Sequence, residues 1–164
     1  MKIGLLSDTH SVLPEAALRY MQTCDEIWHA GDIGSLEITK QLSSYKPLRA
    51  VFGNIDQPNI RNLYPRYHVF NCAGLKVLMT HIAGKHPHYN PFTQQLIAQH
   101  QPQLLVCGHT HILHIARTPT GLLYMNPGAI GNHGIHLKRT MIRFEILQGK
   151  ASRVQVIELG DRGV

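Results

Sequence analysis

Lys2-Ile3-Gly4-Leu5-Leu6-Ser7-Asp8-Thr9-His10 opens the chain with an apolar run that ends in a carboxylate and an imidazole. The same form, an apolar run closing on a metal-competent side chain, recurs along the chain. Ile27-Trp28 leads to Asp32, Ala50-Val51-Phe52 to Asn54, and Val77-Leu78-Met79 to His81, while Leu104 to Cys107 leads through Gly108 to His109 and His111. Such runs, rich in Val, Ile and Leu, belong to strands buried on both faces, so the pattern predicts an α/β fold. In open α/β sheets functional side chains gather beyond the carboxyl ends of the strands. Asp8, Asp32, Asn54, His81 and His109 follow one another at intervals of 24, 22, 27 and 28 residues, each the length of a strand plus its return connection. Gly31, Gly53 and Gly108 directly precede three of them, where a missing Cβ permits a sharp turn and close backbone approach.

The segments between these runs carry their own signals. Leu13, Ala16, Ala17, Tyr20 and Met21 have the spacing of one helix face, with Pro14 suited to its first turn. Strands are predicted over 2–7, 26–30 and 48–52, and a helix over 35–44 capped by Ser35. Residues 57–66, with two prolines and no periodicity, predict a loop; 68–72 and 75–80 predict a hairpin around Ala73-Gly74; Asn90-Pro91 opens a helix to about His100. Strands near 103–107, 112–117, 122–125, 139–147 and 152–159 make the remainder β-rich, with no further helix. No repeat or linker interrupts the 164 residues, which predicts one domain over 1–164.

Composition narrows the class. With 43% hydrophobic and 16% charged residues the chain is globular and not disordered. Its apolar runs reach about four residues against the roughly 18 of a membrane span, so no membrane partner is expected. Between Met1-Lys2 and Ser7-Asp8 there is no room for a signal-peptide core, and a cytoplasmic location is the expectation. Cys24, Cys72 and Cys107 are odd in number and far apart, which predicts reduced structural thiols. The formal charge of +6 is scattered, without a basic arm, so a small phosphate ester is favoured over nucleic acid as partner. Homo-oligomerisation stays open. Twelve histidines exceed the ten acidic residues, a surplus that asks for metal or acid/base chemistry.

The strand-end donors are Asp8, His10, Asp32, Asn54, His81, His109 and His111: two carboxylates, one amide and four imidazoles. This set suits Mn, Fe, Zn or Ni better than Ca or Mg. It is too large for one ion with an open position and suits two divalent ions sharing a carboxylate. Two such ions, less two carboxylates and a bridging hydroxide, leave about one positive charge, which attracts a phosphate ester.

Asp8-Thr9-His10, Gly31-Asp32, Gly53-Asn54-Ile55-Asp56, His81 and Gly108-His109-Thr110-His111 resemble, in order, the signature of the calcineurin-like metallophosphoesterases. Asn126-Pro127-Gly128-Ala129 resembles the later Asn-Pro-Gly-Ser segment of their small bacterial and archaeal phosphodiesterase branch. The resemblance implies two packed mixed β-sheets flanked by helices, a four-layer αββα sandwich. It implies one metal on Asp8, His10, Asp32 and His111 and a second on Asp32, Asn54, His81 and His109, with manganese first and nickel, iron or zinc as alternatives. Asp8, Asp32, Asn54, His81 and His109 would be catalytic, with a metal-bridging hydroxide attacking phosphorus in line. Phosphodiester hydrolysis is the leading expectation. Phosphomonoesterase or nucleotide phosphatase activity, nuclease activity, and a non-enzymatic scaffold of the same fold, as in a retromer subunit, are the alternatives.

Two departures qualify the resemblance. Many members carry His after Gly-Asn, where it binds phosphate or protonates the leaving group; Ile55 does neither, although the small phosphodiesterase branch often has Cys there. In Thr80-His81-Ile82 the residue after His is not the Gly common in the branch. Without the usual acid, esters with good leaving groups should react best, and His86, His88 and His133 are candidates for the missing proton donor. His29 has two readings, support behind the site or simple packing, and Asp56 either orients Asn54 or caps its loop. Lys85 is either a phosphate-binding point charge or a solvated lysine. Arg61, Arg66 and Lys138 read as surface charges.

Overall fold

The computed structural model describes residues 1–163. Its elements, in chain order, are β1 (Lys2–Leu6), α1 (Glu15–Met21), β2 (Glu26–His29), α2 (Leu36–Tyr45), β3 (Leu48–Ala50), α3 (Pro58–Arg61), β4 (Tyr67–Cys72) and β5 (Leu75–Thr80). They continue with β6 (Gly84–Lys85), β7 (His88–Tyr89), α4 (Pro91–His100), β8 (Leu104–Val106), β9 (Leu113–Arg117), β10 (Leu123–Pro127), β11 (Lys138–Leu147) and β12 (Lys150–Asp161).

Successive side chains of a strand point to opposite faces, and here both faces are apolar. In β1, Ile3 and Leu5 join one buried cluster while Leu6 joins another. In β5, Val77 and Met79 lie in the first cluster and Leu78 in a third; Leu104, Val106 and Leu105 divide in the same way in β8. The first cluster is therefore the seam between two sheets. One sheet has the order β12-β11-β1-β2-β3 and the other β4-β5-β8-β10-β9. Each contains three parallel strands, β1-β2-β3 and β5-β8-β10, flanked by antiparallel ones. Trp28, fully buried, crosses the seam: its ring meets Phe144 of its own sheet at 5.5 Å and Phe70 of the other at 5.1 Å, both edge-on. Edge-on aromatic pairs of this kind contribute about 0.5–1.5 kcal/mol each beyond their burial.

The outer faces are covered by helices. Ala17 and Met21 of α1, Ile38 and Leu42 of α2 and Ile60 of α3 pack on the first sheet. Leu96 of α4 packs on the second. The result is the two-sheet αββα arrangement expected, with the carboxyl ends of β1, β2, β5 and β8 delivered to a common edge. Among the described residues no helix is long and apolar enough to cross a membrane.

Several local expectations need correction. The buried face of α1 is Ala17, Leu18 and Met21, whereas Ala16 is exposed and Tyr20 is 36% exposed. The sheet beneath the helix, and not the periodicity alone, selects which neighbouring residues face inward. Pro14 takes the N-cap position and α1 begins at Glu15. The segment 57–66 contains α3, a four-residue turn with Pro58 at its start, too short to show a period. Ser35 occupies the N-cap of α2 without a side-chain capping bond, whereas Asn90 does cap α4 by accepting from Thr93 N at 2.8 Å. The segment after His81 forms a small hairpin, β6 with β7.

Cys24, Cys72 and Cys107 are free and buried. Burial pushes all three thiols up, that of Cys107 to about 12, even though it lies 3.1 Å from the Tyr124 hydroxyl. Since the thiolate is the reactive form, the native protein should react with a chromogenic aryl disulfide only on unfolding. Stopped-flow release of the aryl thiolate with and without denaturant checks this; prompt reaction of a native thiol would contradict it.

Candidate metal centre

The strand ends turn sharply into the site. Asp8, His10, Asp32, His109 and His111 all have left-handed backbones, with φ of 56°, 45°, 53°, 70° and 60°. Non-glycine residues seldom adopt this conformation, and it costs on the order of 1 kcal/mol or more at each. Close approach adds a second demand. A Cβ on Gly53 would lie 2.0 Å from Asp32 Oδ1, and one on Gly108 would lie 1.9 Å from Ser7 Oγ and 2.8 Å from Asp8 Oδ2.

Ligand-type atoms of Asp8, His10, Asp32 and His111 lie within 4.8 Å of one another, and so do those of Asp32, His81 and His109. Asp32 belongs to both groups. Asp8 Oδ1 is 3.2 Å from His111 Nε2, and both Asp8 oxygens accept from the His109 backbone N–H at 3.2 Å. Asp32 Oδ2 faces His10 Nε2 at 3.6 Å, while Oδ1 accepts from Ile55 N at 3.1 Å. Asn54 is on the loop after β3 and lines a cavity with His81.

Two features test whether these residues fit a cation. His81 Nδ1 lies 2.8 Å from the Ala30 carbonyl, which can only accept, so this nitrogen carries the proton. Its Nε2 is buried, has no hydrogen-bond partner among the described residues, and lies 3.2 Å from Asp32 Oδ1 and 3.9 Å from Asp8 Oδ1. A lone pair aimed at carboxylate oxygens is repulsive unless a positive charge stands between them. The facing Nε2 atoms of His10 and His111, 3.3 Å apart, need a proton or a cation for the same reason. Nitrogen and oxygen donors held in this way fit a first-row transition metal.

Without a cation, protons take up part of that demand. Burial opposes charge on His81, but Asp32 and Asp8 carry its imidazole above the usual value. The hydrogen bond with Asp8 raises His111 despite its burial. Burial lowers His10 and His109, and the neighbouring imidazoles His111 and His133, and His81, respectively reinforce this. Burial works against the Asp32 carboxylate, yet His81 and the Ile55 N–H bring it below its usual range.

Behind the donors lies a layer of hydrogen bonds. The buried His29 accepts at Nδ1 from Gly31 N (3.1 Å), so its Nε2–H donates to Thr9 Oγ1 (2.9 Å), which in turn donates to the Ile33 carbonyl (2.8 Å). Asp56 accepts from Ile33 N (3.1 Å), Gly34 N (2.7 Å) and Gly53 N (2.7 Å), tying the loops after β2 and β3 together. Asn126 donates to the Gly108 carbonyl (2.8 Å) and Thr110 Oγ1 (3.1 Å), which braces the loop bearing His109 and His111.

Of the other residues singled out from sequence, His133 packs on His10 with ring centroids 4.7 Å apart. The ring neighbours of His86 are Tyr89, His114 and Tyr124, none of them a strand-end donor. His88 and Lys85 are exposed on the β6-β7 hairpin. Arg61, read as a surface charge, instead grips the backbone beside Asn54: Nε donates to the Asp56 carbonyl at 2.6 Å and Nη2 to that of Asn54 at 2.9 Å. No local pattern in the sequence marks it. The role of Thr9 had a signal in its place between Asp8 and His10.

Two sheets whose parallel strands end on a shared cluster of carboxylates and imidazoles form a candidate metal centre. The sequence model of the calcineurin-like phosphoesterase superfamily domain matches residues 1–149. The chain belongs to this superfamily. It is 32% identical over 137 residues, 79% of this chain and 77% of the other, to a probable metallophosphoesterase of Methanothermobacter thermautotrophicus. Its fold is similar to that of an archaeal phosphodiesterase (TM-score 0.77, 22% identity, 97% and 100% of the two chains). It is also similar to the zinc complex of Vps29 from Entamoeba histolytica (TM-score 0.75, 16% identity, 99% and 100%).

Arg61→Met removes the grip on the Asn54 loop, and metal affinity measured by calorimetry should fall about 10- to 100-fold, as on loss of an outer-shell partner. Unchanged affinity would show that the loop holds itself. Burial lowers His29 to about 4 from 6.5. Below pH 6.5 the unfolded chain takes up a proton on this residue that the folded chain refuses until about pH 4. Stability is therefore lost as pH falls through that interval, by roughly 1.4 kcal/mol per unit. Denaturant melts of the metal-stripped protein should show a shallower pH slope for His29→Gln than for the parent.

Proposed function

We propose that the protein is a phosphodiesterase of small phosphate esters that works with two divalent transition-metal ions, manganese first among them. One observation carries the reading: Asp32 contributes to both groups of donors, so two ions sharing a carboxylate account for all six Asp and His side chains. Asp8, His10, Asp32 and His111 would hold one ion, and Asp32, Asn54, His81 and His109 the other. Bound there, the ions supply Lewis-acid activation of water and neutralise charge on the phosphoryl oxygens.

The remaining chemistry is that of the chain. The Ala30 carbonyl fixes the His81 tautomer so that Nε2 faces the site, and the His109 N–H orients Asp8. Beside Asn54, Ile55 is 37% exposed and offers neither charge nor proton. A phosphomonoester dianion gains nothing from that side chain, whereas the second substituent of a diester finds an apolar surface. Esters whose leaving groups need no protonation should react fastest. The fold likeness to Vps29 favours a second reading, a non-enzymatic scaffold of the same fold; the convergence of six Asp and His side chains on one site is what favours hydrolysis over it.

Metal-stripped protein supplied separately with Mn, Ni, Zn or Mg and bis-p-nitrophenyl phosphate tests this. A transition metal should restore hydrolysis, faster than that of p-nitrophenyl phosphate under identical conditions. Asp32→Ala and His109→Ala should each lose more than the roughly 10- to 100-fold that an outer-shell change costs. Metal binding without hydrolysis of any ester, or equal activity in the variants, would refute the assignment.

A further inference from the structure

Next to the second group of donors lies a cavity of about 750 Å³ whose lining includes Asn54, His81, Arg61, Arg66, Ile82 and Phe92. No carboxylate lines it. The two arginines differ in what they have left to give. Arg61 is committed to the carbonyls of Asn54 and Asp56 and lies over Phe52 at 5.0 Å. Arg66 makes no hydrogen bond or ion pair among the described residues; its guanidinium lies over the Phe92 ring, 4.1 Å from the centroid.

That stacking leaves the N–H donors at the edge of the guanidinium free while restricting its orientation. The platform is held from both sides. Phe92 meets Tyr67 edge-on at 5.7 Å, and the Pro65 carbonyl accepts from Phe52 N at 3.0 Å, which ties the residue before Arg66 to the strand end leading to Asn54. A guanidinium with a free planar fork is suited to bidentate recognition of a phosphate. The charge count points the same way. Two divalent ions held by Asp8 and Asp32 would leave the centre positive, which one phosphodiester anion offsets, and Arg61 and Arg66 add further positive charge with no carboxylate in the cavity to balance it; of the two, only Arg66 has its donors free.

We infer that Arg66, stacked on Phe92, anchors a second phosphate of the substrate, so that the substrate class is a small phosphate ester with another phosphoryl group beyond the scissile one. The inference rests on the phosphoesterase reading of the adjacent centre, and it identifies Arg66 as a specificity-determining residue rather than a solvated charge.

Binding separates the two. Thymidine 5′-monophosphate and thymidine 3′,5′-bisphosphate differ by one phosphate, and their dissociation constants can be measured by calorimetry on the manganese-treated protein, its Arg66→Gln variant and its Arg66→Lys variant. The bisphosphate should bind about tenfold more tightly than the monophosphate to the parent. Arg66→Gln should reduce this preference to less than about threefold, and Arg66→Lys, which keeps the charge and loses the fork, should fall between them. Any contribution from the added phosphate binding manganese in solution is common to all three proteins and cancels in the comparison. A preference below about threefold in the parent, or one that survives intact in Arg66→Gln, overturns the inference. Because the readout is binding, failure to hydrolyse any ester would count against the proposed activity without touching this result.

Discussion

Asp32 joins the two halves of the molecule. Its backbone leaves β2 of one sheet in a left-handed turn, and its carboxylate reaches His10 on one side and His81, from the other sheet, on the other. A buried carboxylate is costly unless positive charge and hydrogen-bond donors surround it. The Ile55 N–H supplies one donor, and the imidazoles converge on the rest. Gly53 permits this close approach, since a methyl group there would occupy space the Asp32 carboxylate already fills; at Gly108 a methyl would collide with Ser7 Oγ and crowd Asp8.

The strain this creates is contained by a rigid surround. Thr9 and His29 link the loops after β1 and β2, Asp56 links those after β2 and β3, and Asn126 holds the loop after β8. Apart from the Thr9–His29 pair, which joins two side chains, these bonds connect backbone to buried side chains, so they hold the donors in place before any ion arrives. Such preorganisation lets binding energy go into coordination instead of into ordering the loops. The cores on either side of the seam share in this, because sheets that slid past one another would separate Asp8 and Asp32 from His81 and His109.

Much of the architecture was legible because each donor sits directly beyond an apolar run, where strand, turn and ligand are neighbours in sequence. Asp8, His10, Asp32, His81, His109 and His111 all carry that local mark. What was not legible depends on packing between distant segments. Ala16 and Tyr20 fit a helical stripe as well as Leu18 does, and only the sheet beneath α1 separates them. α3 has too few residues to display a period. His86 shared in the surplus of histidine but faces an aromatic group on the second sheet. Arg61 and Arg66 stand in a segment without pattern, and their partners are backbone carbonyls and a ring from another part of the chain.

The left-handed donors have an evolutionary corollary. At positions 8, 10, 32, 109 and 111 glycine would relieve the backbone, yet it carries no ligand atom. The return on the conformational penalty is the convergence of ligand atoms, to which Asp8 and Asp32 add the hydrogen bonds they accept from His109 N and Ile55 N. In a descendant that abandoned metal chemistry the penalty would persist without that return, and substitutions to glycine or asparagine would become stabilising where once they were ruinous. The dihedral angles at the strand ends thus act as a ratchet: while the donor side chains matter, the fold resists its own most obvious stabilising mutations.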